Sequence, residues 1–238
     1  MFDRACTVFL ARLCLNPVQS KCKTNDGVLE MANNSARFWN RIAKRYAKQA
    51  IADEASYQKK LAVTQQYLRP EMEVLEFGCG TGSTALIHAP HVRHIRAIDI
   101  SSKMIDIAQT KAAEKHVENL SFEQANIEDL TLACNSLDAV MGLSILHLLE
   151  NKEIVVAKVF SILKPGGIFI SSTACLGGSL KWLRFVVPIG RRVGLMPFVS
   201  FFSQEELKKC LLDAGFAIDY AWQPGEGKAL FIVAKKPE

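Results

Sequence analysis

A mainly parallel, doubly wound α/β sheet is predicted by three features of this 238-residue sequence. Short apolar runs recur at 72–77, 94–100, 119–124, 137–143 and 167–173. Helix-like segments separate most of them, at about 82–89, 102–116 and 150–163. A glycine-rich turn, Gly78-x-Gly80-x-Gly82, directly follows the first run, where such a sheet places its ligand loop. Strands that alternate with helices pair in parallel, because each helix carries the chain back to the same end of the sheet.

The elements follow in chain order. Residues 1–34 read as an extension outside the folded domain, which is expected to cover 35–238. The extension makes a poor secretory signal, since Asp3 adjoins Arg4 and Arg12 interrupts the apolar piece. Met31 is an alternative start. Asn34 and Ser35 are candidate caps for a helix over 36–50. There Phe38, Ile42, Tyr46 and Ala50 recur every four residues, and Arg37, Arg41, Lys44, Arg45 and Lys48 form a basic side. Docking on its own domain is expected for this helix, and peripheral membrane contact stays open. A second helix over 55–68 ends before Pro70. Lys164-Pro165-Gly166-Gly167 is a turn feeding the fifth strand. Ser203-Gln204-Glu205-Glu206 is a capping box that opens a late helix to about 214. Two final strands, near 215–223 and 228–235, flank Pro224-Gly225-Glu226-Gly227.

Bulk composition narrows the class. Hydrophobic residues at 49% and charged residues at 22% are ordinary for a soluble globular domain. No stretch reaches the roughly 18 uncharged apolar residues of a spanning helix, so no transmembrane segment is expected. The net charge of +5 is too mild to argue for nucleic-acid binding, and no DNA partner is expected. Seven cysteines, scattered and without a Cys-x-x-Cys pair, argue against a disulfide framework and against a zinc site. No metal is expected, and a reducing, cytoplasmic compartment fits best. Cys79 reads as a small turn residue rather than a nucleophile.

The glycine turn lets a ligand approach bare backbone N–H groups. A phosphate loop is excluded because no Lys follows the glycines. A dinucleotide fingerprint fits poorly, because its third glycine belongs at Ser83 and stands instead at Gly82.

What is present is Glu76-x-Gly78-x-Gly80-x-Gly82, followed by Asp99 at the end of the second strand and Asn126 after the third. Together with Leu137-Asp138-Ala139-Val140 and the Lys-Pro-Gly-Gly turn, these residues resemble class I S-adenosylmethionine (SAM)-dependent methyltransferases over 35–238. In the cofactor half the chain is similar to the ubiquinone and menaquinone biosynthesis methyltransferases. The resemblance implies a Rossmann-like seven-stranded sheet of order 3-2-1-4-5-7-6, with an antiparallel seventh strand. It also implies a lid inserted after the fifth strand, at about 176–202.

The same resemblance implies SAM as the cofactor. Glu76, Phe77, Gly78, Cys79, Gly80, Thr81 and Gly82 then surround its methionine part, and Asp99 accepts from its ribose hydroxyls. Ile100, Met104 and Ile127 flank the adenine, whose edge meets Asn126 in place of the family's usual Asp. Leu143 and Ser144 lie near the sulfonium, and Tyr46 reaches over the cofactor from the N-terminal helix.

The acceptor is less defined. After the fourth strand the chain reads Gly142-Leu143-Ser144-Ile145-Leu146-His147, without the Asn/Asp-Pro-Pro-aromatic signature of base and amide methylation. His147 is the candidate general base, and His88, His91, His94 and His116 are expected to be solvated. The 176–202 segment carries Trp182, Phe185, Phe198, Phe201 and Phe202 with four cations and no acid. That composition suits a small, apolar or lipid-like acceptor, one with an acidic group or one drawn from a membrane surface. A protein or RNA methyltransferase, a SAM-binding regulator without catalysis and an NAD-dependent oxidoreductase are the competing readings.

Overall fold

The computed structural model describes residues 26–175 and 196–238, with side chains from residue 34 onward. The extension up to residue 25 and the lid up to residue 195 lie outside the described residues. Seven strands form one sheet: β1 (Glu73–Phe77), β2 (His94–Asp99), β3 (Leu120–Gln124), β4 (Leu137–Leu143), β5 (Leu163–Thr173), β6 (Ala217–Trp222) and β7 (Leu230–Lys235). The helices are α1 (Asp26–Ala47), α2 (Glu54–Tyr67), α3 (Ser83–His88), α4 (Ser102–Glu114), α5 (Lys152–Ile162) and α6 (Gln204–Asp213).

Strand order is β3-β2-β1-β4-β5-β7-β6, as the sequence reading expects. All pairs are parallel except those of β7, which runs antiparallel to β5 and to β6. A strand joined to its predecessor by a short turn must reverse direction, which explains β7.

Period-two alternation sends side chains to two cores. Leu75, Phe77 and Phe169 pack with Val156, Val159 and Leu207 under α5 and α6. Val74, Ile95 and Phe231 pack with Ala85, Leu86 and Ile105 on the opposite face. Central strands covered on both faces read as continuous apolar runs, the pattern that made them visible in the sequence.

Two boundaries differ from expectation. Helix α1 begins at Asp26, so Asn34 and Ser35 lie inside it and cap nothing. Their cap preference is weak beside the stripe that docks α1, and no Pro interrupts 26–47. The Lys-Pro-Gly-Gly turn is a bulge within β5, where the register steps from Leu137↔Leu163 to Ala139↔Ile168. Asp138 holds it, accepting from Lys164 Nζ at 2.7 Å and from Glu73 N at 2.9 Å. The capping box of α6 is formed, with Glu206 N donating to Ser203 Oγ at 3.1 Å and Ser203 N donating to Glu206 Oε2 at 2.6 Å. Among the described residues no helix is long and apolar enough to cross a membrane.

Candidate functional site

Parallel register brings the predicted residues to one edge. Phe77 pairs with Ile98 and Asp99 with Gln124, so the segments leaving β1, β2 and β3 emerge side by side. The loop after β4 joins them, since β4 is the other neighbour of β1.

The glycine loop owes its shape to left-handed backbone at Gly78, Gly80 and Gly82, with φ of 67°, 54° and 72°. Gly82 is wedged: a Cβ there meets Phe122 Cζ at 2.6 Å and Ala108 Cβ at 2.8 Å. Among the described residues Gly80 faces open space, with Tyr46 Cε1 at 3.9 Å. Bare backbone is thus presented at Gly80, while Gly82 lets α3 pack against α4 and β3. Gly82→Ala is expected to destabilise the fold by about 2–4 kcal/mol, from left-handed strain plus overpacking. Thermal melting checks this, and an unchanged midpoint contradicts the packing account.

Two clefts meet at this loop, sharing Tyr46, Gly78, Gly80, Leu143 and Ser144. The first, about 1180 Å³ and partly open to solvent, is lined by Phe77, Asp99, Ile100, Met104, Asn126 and Ile127. The second, about 1320 Å³, is bordered by Glu76, Cys79 and Thr81 together with α2. Of the predicted cofactor residues only Gly82 lies in neither wall. His147 is also in neither.

Asp99 is the pivot. Its Oδ2 accepts from Gly80 N at 2.9 Å and its Oδ1 from Ser101 N at 2.8 Å, which ties the glycine loop to the start of α4. A carboxylate has about four acceptor sites, so both oxygens keep capacity toward the cleft. Burial raises its pKa, against the pull of the Ser101 and Gly80 N–H groups. Asn126 is partly committed: its Oδ1 accepts from Glu128 N at 3.2 Å, and its Nδ2 donates to Asp129 Oδ2 at 3.1 Å.

Glu76 is 2% exposed, and its Oε2 has no hydrogen-bond partner among the described residues. Burial, with Asp99's charge second, pushes its pKa up to about 8. Burial also raises the Cys79 thiol well above its ordinary value, which fits a turn residue and not a nucleophile. Tyr46 is shifted upward too, by burial first and Asp99 second. Ser144 has φ of +60°, a left-handed conformation that costs a non-glycine residue about 1–2 kcal/mol. Its N–H donates to Ser172 O at 2.6 Å, fixing the end of β4 to β5.

Several supporting residues escape sequence reasoning. Asn40 Oδ1 on α1 accepts from Ser101 Oγ at 2.7 Å and from Lys103 N at 3.0 Å, clamping α1 onto the start of α4. Lys111 braces the glycine loop from outside, its Nζ donating to Thr81 Oγ1 at 3.0 Å and Ser83 Oγ at 3.1 Å. The solvation expected of His88 is wrong: it is fully buried, because it shares the inner face of α3 with Ala85 three residues before it. His147 sits in the turn after β4, where its Nδ1 is buried without a partner among the described residues and its carbonyl accepts from Ser200 N at 2.7 Å. Burial lowers its pKa. Among the described residues no group of three or more His, Cys, Asp or Glu side chains is placed to hold a metal ion.

The profile described as "Methyltransferase domain" matches residues 68–193. The uncharacterized methyltransferase YcgJ of Bacillus subtilis is 33% identical over 102 residues, 43% of this chain and 40% of that protein. The crystal structure of YcgJ matches with a TM-score of 0.63 at 20% identity, over 76% of this chain and 99% of its own, which is a likeness of fold. A demethylmenaquinone methyltransferase of Leptospira interrogans is 28% identical over 246 aligned positions, covering 88% of this chain and 96% of that protein. A malonyl-[acyl-carrier protein] O-methyltransferase of Bacillus cereus is 32% identical over 143 residues, 56% of this chain and 52% of its own. In YcgJ and three further relatives the matched stretch spans only 33% to 62% of the relative's own length.

Proposed function

The chain belongs to the class I S-adenosylmethionine-dependent methyltransferase family, and we propose that it methylates a small, apolar or lipid-like acceptor. The observation that carries the donor is the meeting of the two clefts at Gly80, beside the Asp99 carboxylate and beneath Tyr46. SAM has two polar ends, a nucleoside and an amino acid, and the clefts offer Asp99 to the first and Glu76 to the second.

In this reading Asp99 takes the ribose hydroxyls, and Ile100, Met104 and Ile127 flank the adenine. Asn126 meets the adenine edge with the acceptor capacity that the Glu128 N–H leaves it. The unpartnered Glu76 carboxyl faces the ammonium of the methionine part, for which a buried acid is a fitting partner. Gly80 admits the cofactor backbone-close, and Leu143 with the strained Ser144 borders the reacting centre.

Bound SAM supplies a methyl group already activated by its sulfonium, so the protein's work is alignment and exclusion of water. Tyr46 and α1 cover the loop from one side. Pro197 and Phe198, from the acid-free segment, line the first cleft together with Leu148 and Leu149. This apolar rim, and the quinone and acyl-carrier acceptors in the names of the relatives, support an apolar acceptor. One that arrives ionised needs no base, which agrees with His147 standing outside both clefts.

Thermal-shift titration tests the donor: S-adenosylhomocysteine is expected to raise the melting midpoint and NAD to leave it unchanged. No shift with S-adenosylhomocysteine overturns the reading. A labelled-SAM assay against lipid and metabolite extracts then identifies the acceptor.

A further inference from the structure

Lys60 lies outside the set of residues proposed to hold the cofactor. It projects from α2 into the second cleft, half-buried, and its Nζ donates to Ser172 Oγ at 3.0 Å. The carbonyl of the same Ser172 receives the N–H of Ser144, which borders both clefts. Lys60 is therefore held one residue away from the junction.

An ammonium has three donors, and Lys60 has a neutral hydroxyl as its hydrogen-bonded partner. Among the described residues no carboxylate lies within ion-pair distance of it. The acid whose field it feels, Asp53, is occupied as the cap of α2, accepting from Ser56 N at 3.1 Å. Burial of a cation without a counter-charge is unfavourable, and burial depresses this ammonium's pKa. Glu76 Oε2, in the lining of the same cleft and almost wholly buried, also lacks a partner among the described residues. A cation and an acid that line one cavity, neither paired with a charge among the described residues, suit a ligand that carries the opposite charges.

We propose that the second cleft is a carboxylate-binding site whose donors are the Lys60 ammonium and the Ser172 hydroxyl. The hydroxyl accepts from Lys60 and keeps its own hydrogen for the incoming carboxylate. The proposal rests on SAM being the methyl donor. Two sources of the carboxylate share this chemistry: the methionine part of the cofactor and an acidic group on the acceptor. Glu76 favours the cofactor, because an α-amino acid presents its ammonium and its carboxylate together.

Calorimetric titration of wild type, Lys60→Met and Lys60→Arg with S-adenosylhomocysteine and with 5′-methylthioadenosine, which lacks the amino-acid arm, is the test. Methionine keeps the length and apolar stem of lysine, so the fold is retained, and a melting curve verifies it. Lys60→Met is expected to weaken S-adenosylhomocysteine by about tenfold or more and to leave 5′-methylthioadenosine unchanged, with Lys60→Arg recovering most of the loss. That result assigns the carboxylate to the cofactor. If S-adenosylhomocysteine binds both proteins equally, titration of the loaded proteins with decanoate decides. Binding by wild type but not by Lys60→Met assigns the site to the acceptor. Identical behaviour of Lys60→Met and wild type in both titrations overturns the proposal. A wild type that does not bind S-adenosylhomocysteine instead overturns the donor assignment on which it rests.

Discussion

Replacing Asp99 by alanine is expected to weaken S-adenosylhomocysteine binding by about 1–3 kcal/mol, a five- to 150-fold rise in Kd. Two effects act together. The ribose loses a charged acceptor, and the N–H groups of Gly80 and Ser101 lose the oxygens that hold them. The second effect also loosens the empty protein, because each buried donor left unsatisfied costs about 1–3 kcal/mol. Asp99→Asn keeps one carbonyl oxygen and the shape of the side chain, so its losses fall between those of wild type and alanine. Calorimetric titration reads the affinity and melting reads the stability. An alanine variant that binds as tightly as wild type excludes Asp99 as the ribose ligand.

Glu76→Gln is expected to separate stability from binding. Folded Glu76 keeps its proton up to about pH 8, whereas the unfolded chain releases it near the ordinary value of 4.5. The folded state therefore binds the extra proton between those limits. Its contribution is complete below about pH 4.5 and is lost as the pH rises to about 8. Each pK unit is worth about 1.4 kcal/mol, so the loss across this window amounts to several kcal/mol. Glutamine carries no proton to lose, and the variant's melting midpoint gains on that of wild type steadily from about pH 5 to pH 8. Its affinity for S-adenosylhomocysteine falls by about tenfold at high pH, where wild-type Glu76 meets the ligand's ammonium as an anion. Melting curves that stay parallel across the pH series contradict the buried, proton-holding acid.

The sheet was legible because its evidence is local. Each central strand announces itself as an apolar run, and the alternation with helices leaves few topologies to choose from. The Gly78–Gly82 turn, Asp99 and Asn126 lie at strand ends, so a correct strand assignment delivers their neighbourhood as well. Lys60 and Ser172 were invisible for the opposite reason, as 112 positions separate two residues that touch through side chains alone. Asn40 and Ser101, 61 positions apart, escape in the same way. The start of α1 was misplaced because Asn34 and Ser35 carry a cap preference that docking overrides. His88 was misjudged because a six-residue helix shows too little periodicity to reveal which side faces inward.

The Asn40 clamp makes the N-terminal helix an accessory of the end proposed for the nucleoside. One amide oxygen joins α1 to Ser101, and the backbone of Ser101 is held by the same carboxylate that secures Gly80. Latch and ligand thus pull on a single rope. Any ligand that steadies Asp99 also steadies the helix carrying Tyr46 and the exposed cations Arg37, Arg41, Lys44 and Arg45. Linkage is reciprocal: a partner that grips those cations and presses the helix down tightens the hold on the nucleoside by the same factor.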